Sequence, residues 1–153
     1  MLFFEDVDTG WQTTSPELTV DREEMLAFAR AWDPLPIHVD EAAANEQFGG
    51  LIAPGLYALA IKLRLIHQSA ALAVIASLGY DEIRFHSPLR PGDRVLLKQH
   101  CIGRRDSQSK PDRGIVTVGY SLVRLDGVVV LSHRDTLLLR RRGDGGTIAK
   151  SSN

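Results

Sequence analysis

The order of its patterns predicts an α+β fold for this chain. Helical patterns fill the first half of the 153 residues and strand-like runs fill the second, and the last helix of the first group is apolar on most sides. A long apolar helix must be covered, and a curved antiparallel sheet wrapped round it is the economical solution.

The segment Asp21 to Ala31 reads as an amphipathic helix. Asp21 with Glu24 three residues on resembles a capping box, and Met25, Phe28, Ala29 and Trp32 recur at helical spacing. Asp33-Pro34 stops it, because a residue before proline is steered away from the α region. A short helix over Asp40 to Gln47 is expected next, stopped by Gly49-Gly50. The apolar helix runs from about Pro54 to about Gln68, with Leu56, Tyr57, Leu59, Ile61, Leu63 and Ile66 spread round it. Strands are predicted over Glu82 to Phe85, Arg94 to Ile102, Ile115 to Leu125 and Val128 to Leu139. Turn signals separate them: Pro91-Gly92-Asp93, a polar loop from Asp106 to Arg113, and Asp126-Gly127. No repeat or Pro/Ser-rich linker divides the chain, so residues 1–142 are expected to form one domain. The Gly/Ser-rich tail 143–153 is expected to be disordered.

Composition narrows the function classes. A hydrophobic fraction of 44% argues against intrinsic disorder, and a formal net charge of -1 provides no basic field for nucleic acid or an anionic membrane. Cys101 stands alone, without a disulfide partner or a zinc-ligand spacing, and reads as a small strand residue. The first residues lack the basic region of a secretory signal, and the apolar stretch from Leu51 meets Lys62, Arg64 and His67 too soon to span a bilayer. The expectation is a soluble, cytoplasmic protein.

Chemistry concentrates in Asp33-Pro34-Leu35-Pro36-Ile37-His38. A carboxylate and an imidazole lie five residues apart on a segment whose two prolines fix φ, so both groups can be aimed at little entropic cost. On residue types alone the plainer account is a turn aspartate and a packing histidine. Gly49-Gly50-Leu51-Ile52-Ala53-Pro54-Gly55 then leads into the apolar helix. Free N–H groups and the positive end of the helix dipole gather there, suited to a polarised carbonyl, although glycine and proline also suit a plain helix start.

Taken together these segments resemble MaoC-type enoyl-thioester hydratases. Asp33-x-Leu35-Pro36-x-His38 is similar to that family's Asp-x-Asn-Pro-x-His, and Phe48-Gly49-Gly50 and Ala53-Pro54-Gly55 follow in the same order. Asp81 to Phe85, Pro88 to Asp93 and Ser107 to Gly114 extend the resemblance to roughly Thr9 to Arg142. It implies a hot-dog fold, a bent antiparallel sheet wrapped round a long central helix. It also implies pairing of two such domains edge to edge, with an acyl-thioester tunnel at their interface. The implied reaction is addition of water to a trans-2-enoyl thioester of coenzyme A, less often of acyl carrier protein, or the reverse dehydration. Asp33 and His38 would be the acid–base pair, and the Gly55 N–H would meet the thioester oxygen, with Pro54 beside it. No metal or redox cofactor is implied; coenzyme A enters as part of the substrate. Arg104, Lys110 and Arg113 on the polar hairpin could meet its phosphates, or could simply be solvated. His67, His86, His100 and His133 show no metal spacing and are given no role. Two departures stand out: Leu35 replaces the motif's Asn, and Leu63 stands where many members place a helix serine. A hot-dog thioesterase, or a non-catalytic acyl-CoA-binding member, remain the alternatives.

Overall fold

The computed structural model describes residues 1–143, so the expectation for the tail lies, beyond Gly143, outside the described residues. A 3-10 turn over Phe4–Asp6 and two short strands, β1 (Gln12–Thr14) and β2 (Leu18–Thr19), precede the helices. Helix α1 spans Arg22–Trp32, and the Asp21 carboxylate caps it by accepting from the Glu24 N–H at 2.7 Å. The other half of the expected capping box is absent, because the Glu24 carboxylate turns instead to Arg64 at 3.0 Å. Met25 and Ala29 are buried as the spacing predicts, but Trp32 ends the helix in solvent, 74% exposed.

Between α1 and α3 (Glu41–Phe48) the chain forms one further turn, α2 (Pro36–Val39), where a stiff loop was expected. Pro36 sits at its first position, where the missing N–H costs nothing. Asp40 caps α3 by accepting from the Ala43 N–H at 3.0 Å, and Gly49 ends it at φ 69°, the left-handed setting that glycine supplies without strain. Helix α4 covers Gly55–His67 and buries Tyr57, Ala58, Ile61, Lys62 and Leu65. Leu56 and Leu63 face outward, 61% and 44% exposed.

Four long strands follow: β3 (Val74–Phe85), β4 (Arg94–Asp106), β5 (Arg113–Arg124) and β6 (Val129–Arg140). The six-stranded sheet is antiparallel in the order β1-β4-β5-β6-β3, with β2 also on β4. Its inner face packs on α4 through residues such as Val95, Leu97, Val118 and Leu122. This is the predicted α+β hot-dog arrangement.

Strand β3 begins eight residues before the sequence signals it. It is largely exposed along its length, so no period-two alternation marks its first part. Three register shifts interrupt its pairing with β6, and Glu82 within it adopts φ 54°. Its other edge pairs with no strand in the described residues, and among them no helix is long and apolar enough to cross a membrane.

Candidate active site

The α2 turn and the loop entering α4 meet at His38. The imidazole is 5% exposed, and its Nδ1 lies 2.7 Å from the carbonyl oxygen of Ile52. A carbonyl can only accept, so Nδ1 carries a proton and donates, and whenever the ring is neutral its Nε2 is bare. Facing that nitrogen at 3.6 Å is Oδ2 of Asp33, the residue that ends α1, with its side chain 38% exposed. Two acceptors at this spacing do not bond each other. One donor molecule placed between them, such as water, can give a hydrogen to each.

Gly55 opens α4 close by. Tyr57 and Ala58 both donate to the Pro54 carbonyl, at 3.0 and 3.3 Å. The Gly55 and Leu56 N–H groups therefore stand at the helix mouth with no preceding turn to accept from them. Phe85 closes on this point: a Cβ built on Gly55 would come within 2.7 Å of the Phe85 ring. His38, Pro54, Gly55, Ala58 and Phe85 line a cavity of about 360 Å³. His86 lines it too, its Nε2 2.7 Å from Ser132 Oγ. No sequence signal marks His86, which reaches the cavity because β3 runs beside β6.

The fold thus brings Asp33, His38, Pro54 and Gly55 together from segments that sequence order separates. Arg104, Lys110 and Arg113 lie elsewhere, at the hairpin end of β4 and β5. The Arg104 guanidinium stacks 4.0 Å from the Phe4 ring, and Arg113 is held by Asp112 at 2.7 and 2.8 Å. Leu35 occupies the N-cap of α2 and makes no side-chain cap, whereas the asparagine of the motif would supply one. Leu63, at the position of the missing serine, borders a different cavity. Among the described residues no cluster of three metal-ligating side chains occurs.

Comparison with known proteins bears on the family and the fold. Residues 8–123 match the MaoC like domain family. A crystal structure of the MaoC-like dehydratase from Rhodospirillum rubrum is 35% identical, covers 94% of this chain and 99% of its own, and superposes with a TM-score of 0.87. The 3-hydroxyacyl-thioester dehydratase Z of Mycobacterium tuberculosis is 36% identical over 94 residues, 58% of this chain. A conserved hypothetical protein of the same organism with a double hot-dog fold matches in fold, with a TM-score of 0.82 at 19% identity over 94% of this chain and 45% of that one. The chain spans 62% of the length of dehydratase Z, and 30% of Protein MaoC from Klebsiella aerogenes, to which it is 28% identical over 101 residues.

Proposed function

The chain belongs to the MaoC-like dehydratase family, whose fold it shares and whose members include hydratases and dehydratases. We propose that it is an enoyl-thioester hydratase, adding water across a trans-2-enoyl-CoA to give a 3-hydroxyacyl-CoA, or running the reverse dehydration. The supporting observation is the pairing of His38 Nε2, on the wall of the cavity, with Asp33 Oδ2 at 3.6 Å behind it. They hold one water by both of its hydrogens. As that water attacks C3, one of the pair takes its proton and the site returns a proton to C2. Negative charge that develops on the thioester oxygen meets the Gly55 N–H and the positive end of α4. His38 keeps its orientation throughout, because Ile52 holds Nδ1.

Two copies complete the site. The open edge of β3 exposes Val74, Leu78, Tyr80 and Phe85, an apolar strip that a second β3 covers in a symmetric pair. Antiparallel pairing sets the Val74 end of one copy beside the Phe85 end of the other. That brings the basic hairpin carrying Arg104, Lys110 and Arg113 from the second copy toward the first copy's cavity, where the phosphates of coenzyme A need cations. The double hot-dog protein of Mycobacterium tuberculosis, covered over 45% of its length, supports pairing of such units.

The test is a turnover screen of trans-2-enoyl-CoAs, followed by loss of the conjugated double bond. Hydration by the wild type, with the thioester left whole, is the expected result. Release of free thiol instead identifies a thioesterase, and tight binding without turnover across the panel identifies a non-catalytic binder.

A further inference from the structure

Two turns beyond Gly55, α4 buries a second polar group. Lys62 has no exposed surface, and its Nζ has no hydrogen-bond partner. The ammonium sits between two rings, 4.2 Å from the centroid of Tyr80 and 4.7 Å from that of Tyr120. Asp135 acts on its charge from further off, but that carboxylate accepts from Ser77 Oγ at 2.6 Å and gives Lys62 no hydrogen bond. Burial pushes the amine down to about 8, so it is still mostly charged at neutral pH. His133 lies stacked on Tyr120, and its Nε2 is a second buried nitrogen without a partner. Buried donors that lack acceptors are costly, and an ammonium is the costliest of them.

A cavity of about 370 Å³ lies against this cluster. Leu63, Ile66, Leu72 and Leu137 form apolar walls, and His67, Ser77, Asp135, Tyr80 and Tyr120 are its polar groups. Gly55, Ala58, Lys62 and Ile66 follow the i, i+3, i+7, i+11 spacing of a single helix face. Lys62 therefore lies roughly 10 Å along α4 from the proposed position of the thioester carbonyl. Lys62 itself does not line the cavity but lies behind the Tyr80 and Tyr120 rings, so a hydrocarbon chain with an acceptor at its tip suits the aliphatic walls and, once a ring turns, the ammonium behind them.

We propose that this cavity takes the far end of the acyl chain and that Lys62 selects enoyl thioesters ending in a carboxylate over plain hydrocarbon ones. The substrate class is then a dicarboxylic acid linked to coenzyme A through one of its two carboxyls. This rests on the hydratase reading of the His38 site. Tyr80 is the wall that has to turn: it lies next to Gly79 at φ 153° and between two register shifts, where the ladder with β6 is interrupted. Turning that ring aside exposes the ammonium to the cavity. Burial pushes the Asp135 carboxyl up, which lessens its repulsion of an incoming carboxylate.

The experiment compares kcat/KM of the wild type on trans-2-enoyl-CoAs of six and of eight carbons, with and without a terminal carboxylate. Preference for the carboxylated member by about tenfold or more is expected at one of the two lengths, the effect of a hydrogen bond to a charged group. Lys62→Met, which keeps the bulk and removes the charge, should abolish that preference while still hydrating the plain substrates. Hydration of the plain chains equally well or better by the wild type overturns the proposal and leaves the hydratase reading intact. Calorimetry with the saturated thioesters hexanoyl-CoA and adipyl-CoA gives the same contrast without turnover. Tighter binding of adipyl-CoA in the absence of any hydration would keep the cavity assignment and remove the hydratase reading. Equal affinity for the two removes the cavity assignment whatever the turnover.

Discussion

One face of α4 carries two polar positions furnished in opposite ways. At its first turn, both nitrogens of His38 have defined neighbours: Nδ1 is bonded to a backbone carbonyl, and Nε2 looks across 3.6 Å at a carboxylate. Two turns further in, Lys62 Nζ and His133 Nε2 are enclosed by aromatic rings and bonded to nothing. The mouth is built from loops whose prolines and caps fix direction, so its groups are aimed before anything binds. The interior is built from strands and rings that enclose without satisfying, so its energy is recovered only when a partner arrives. Orientation and recognition are thus separated along a single helix.

The largest effects should follow from breaking the mouth. Asp33→Asn and His38→Ala should each lower turnover by about two to four orders of magnitude, Asp33→Asn with melting behaviour close to wild type and His38→Ala with a lower midpoint, since the Ile52 carbonyl loses its donor. The double variant should be scarcely worse than either single one, because groups sharing one water act as a unit. Near-full activity of folded Asp33→Asn, on a substrate the wild type hydrates well, would return Asp33 to the role of a turn residue.

Gly55→Pro should lower turnover by about two to three orders of magnitude, the usual loss of one oxyanion donor. Pro54 already has φ -55° and ψ 143°, a setting compatible with a following proline, and a helix tolerates proline at its first position. Gly55→Ala keeps the N–H and should retain far more activity. Its Cβ meets the end of the Phe85 ring at 2.7 Å, so that side chain must shift to admit it, as it must for proline. Equal turnover by the two variants would remove the Gly55 N–H from the mechanism.

The interior position should be felt in stability rather than in rate. Burial pushes His133 down from 6.5 to about 4, so between those pH values the unfolded chain takes up a proton that the folded one refuses. The stability His133 contributes is complete above pH 6.5 and is lost on acidification toward pH 4, by about 3 kcal/mol over the full span. Asp135, pushed up by burial, works the other way across part of this range, so the informative quantity is a difference. Denaturant titrations should show wild type losing more stability than His133→Phe between pH 6.5 and 4. Parallel pH profiles would mean that the ring is protonated in the fold.

The smallest effect is expected at the α2 cap. Leu35→Asn restores a side chain able to accept from the free N–H groups of that turn, and should stabilise the protein by about 1 kcal/mol. Thermal melting checks it. An unchanged midpoint would show that Pro36 alone is enough to start the turn.

The sequence made the mouth legible and left the interior obscure, for physical reasons. Asp33, His38 and Gly55 lie in short segments where proline, glycine and cap residues dictate the backbone, and local chemistry of that kind can be read from neighbours in the chain. The capping of α1 by Asp21 and the extent of α4 were legible for the same reason, whereas Asp40, expected inside the next helix, turned out to cap it. The Lys62 cluster joins α4, β3, β5 and β6, and nothing local marks Lys62 as different from any lysine on a helix. The first part of β3 went unread because it is exposed on both sides, and β1 and β2 because strands of three and two residues carry no period. Trp32 shows the converse failure: its spacing is helical, but the helix ends before the core reaches it.

The broken register of β3 has a bearing on how this chain behaves at high concentration. A long, open, apolar edge is ordinarily a template on which strands of any origin accrete, one layer after another, into fibres. Here three shifts and a left-handed Glu82 bend that edge out of the flat line on which such stacking depends. Only a strand with matching irregularities can follow its contour, and the strand sure to have them is another β3. In the proposed pair the kinked edge would act as a key as well as a seam, admitting its own likeness once and leaving no straight border for a third chain to extend.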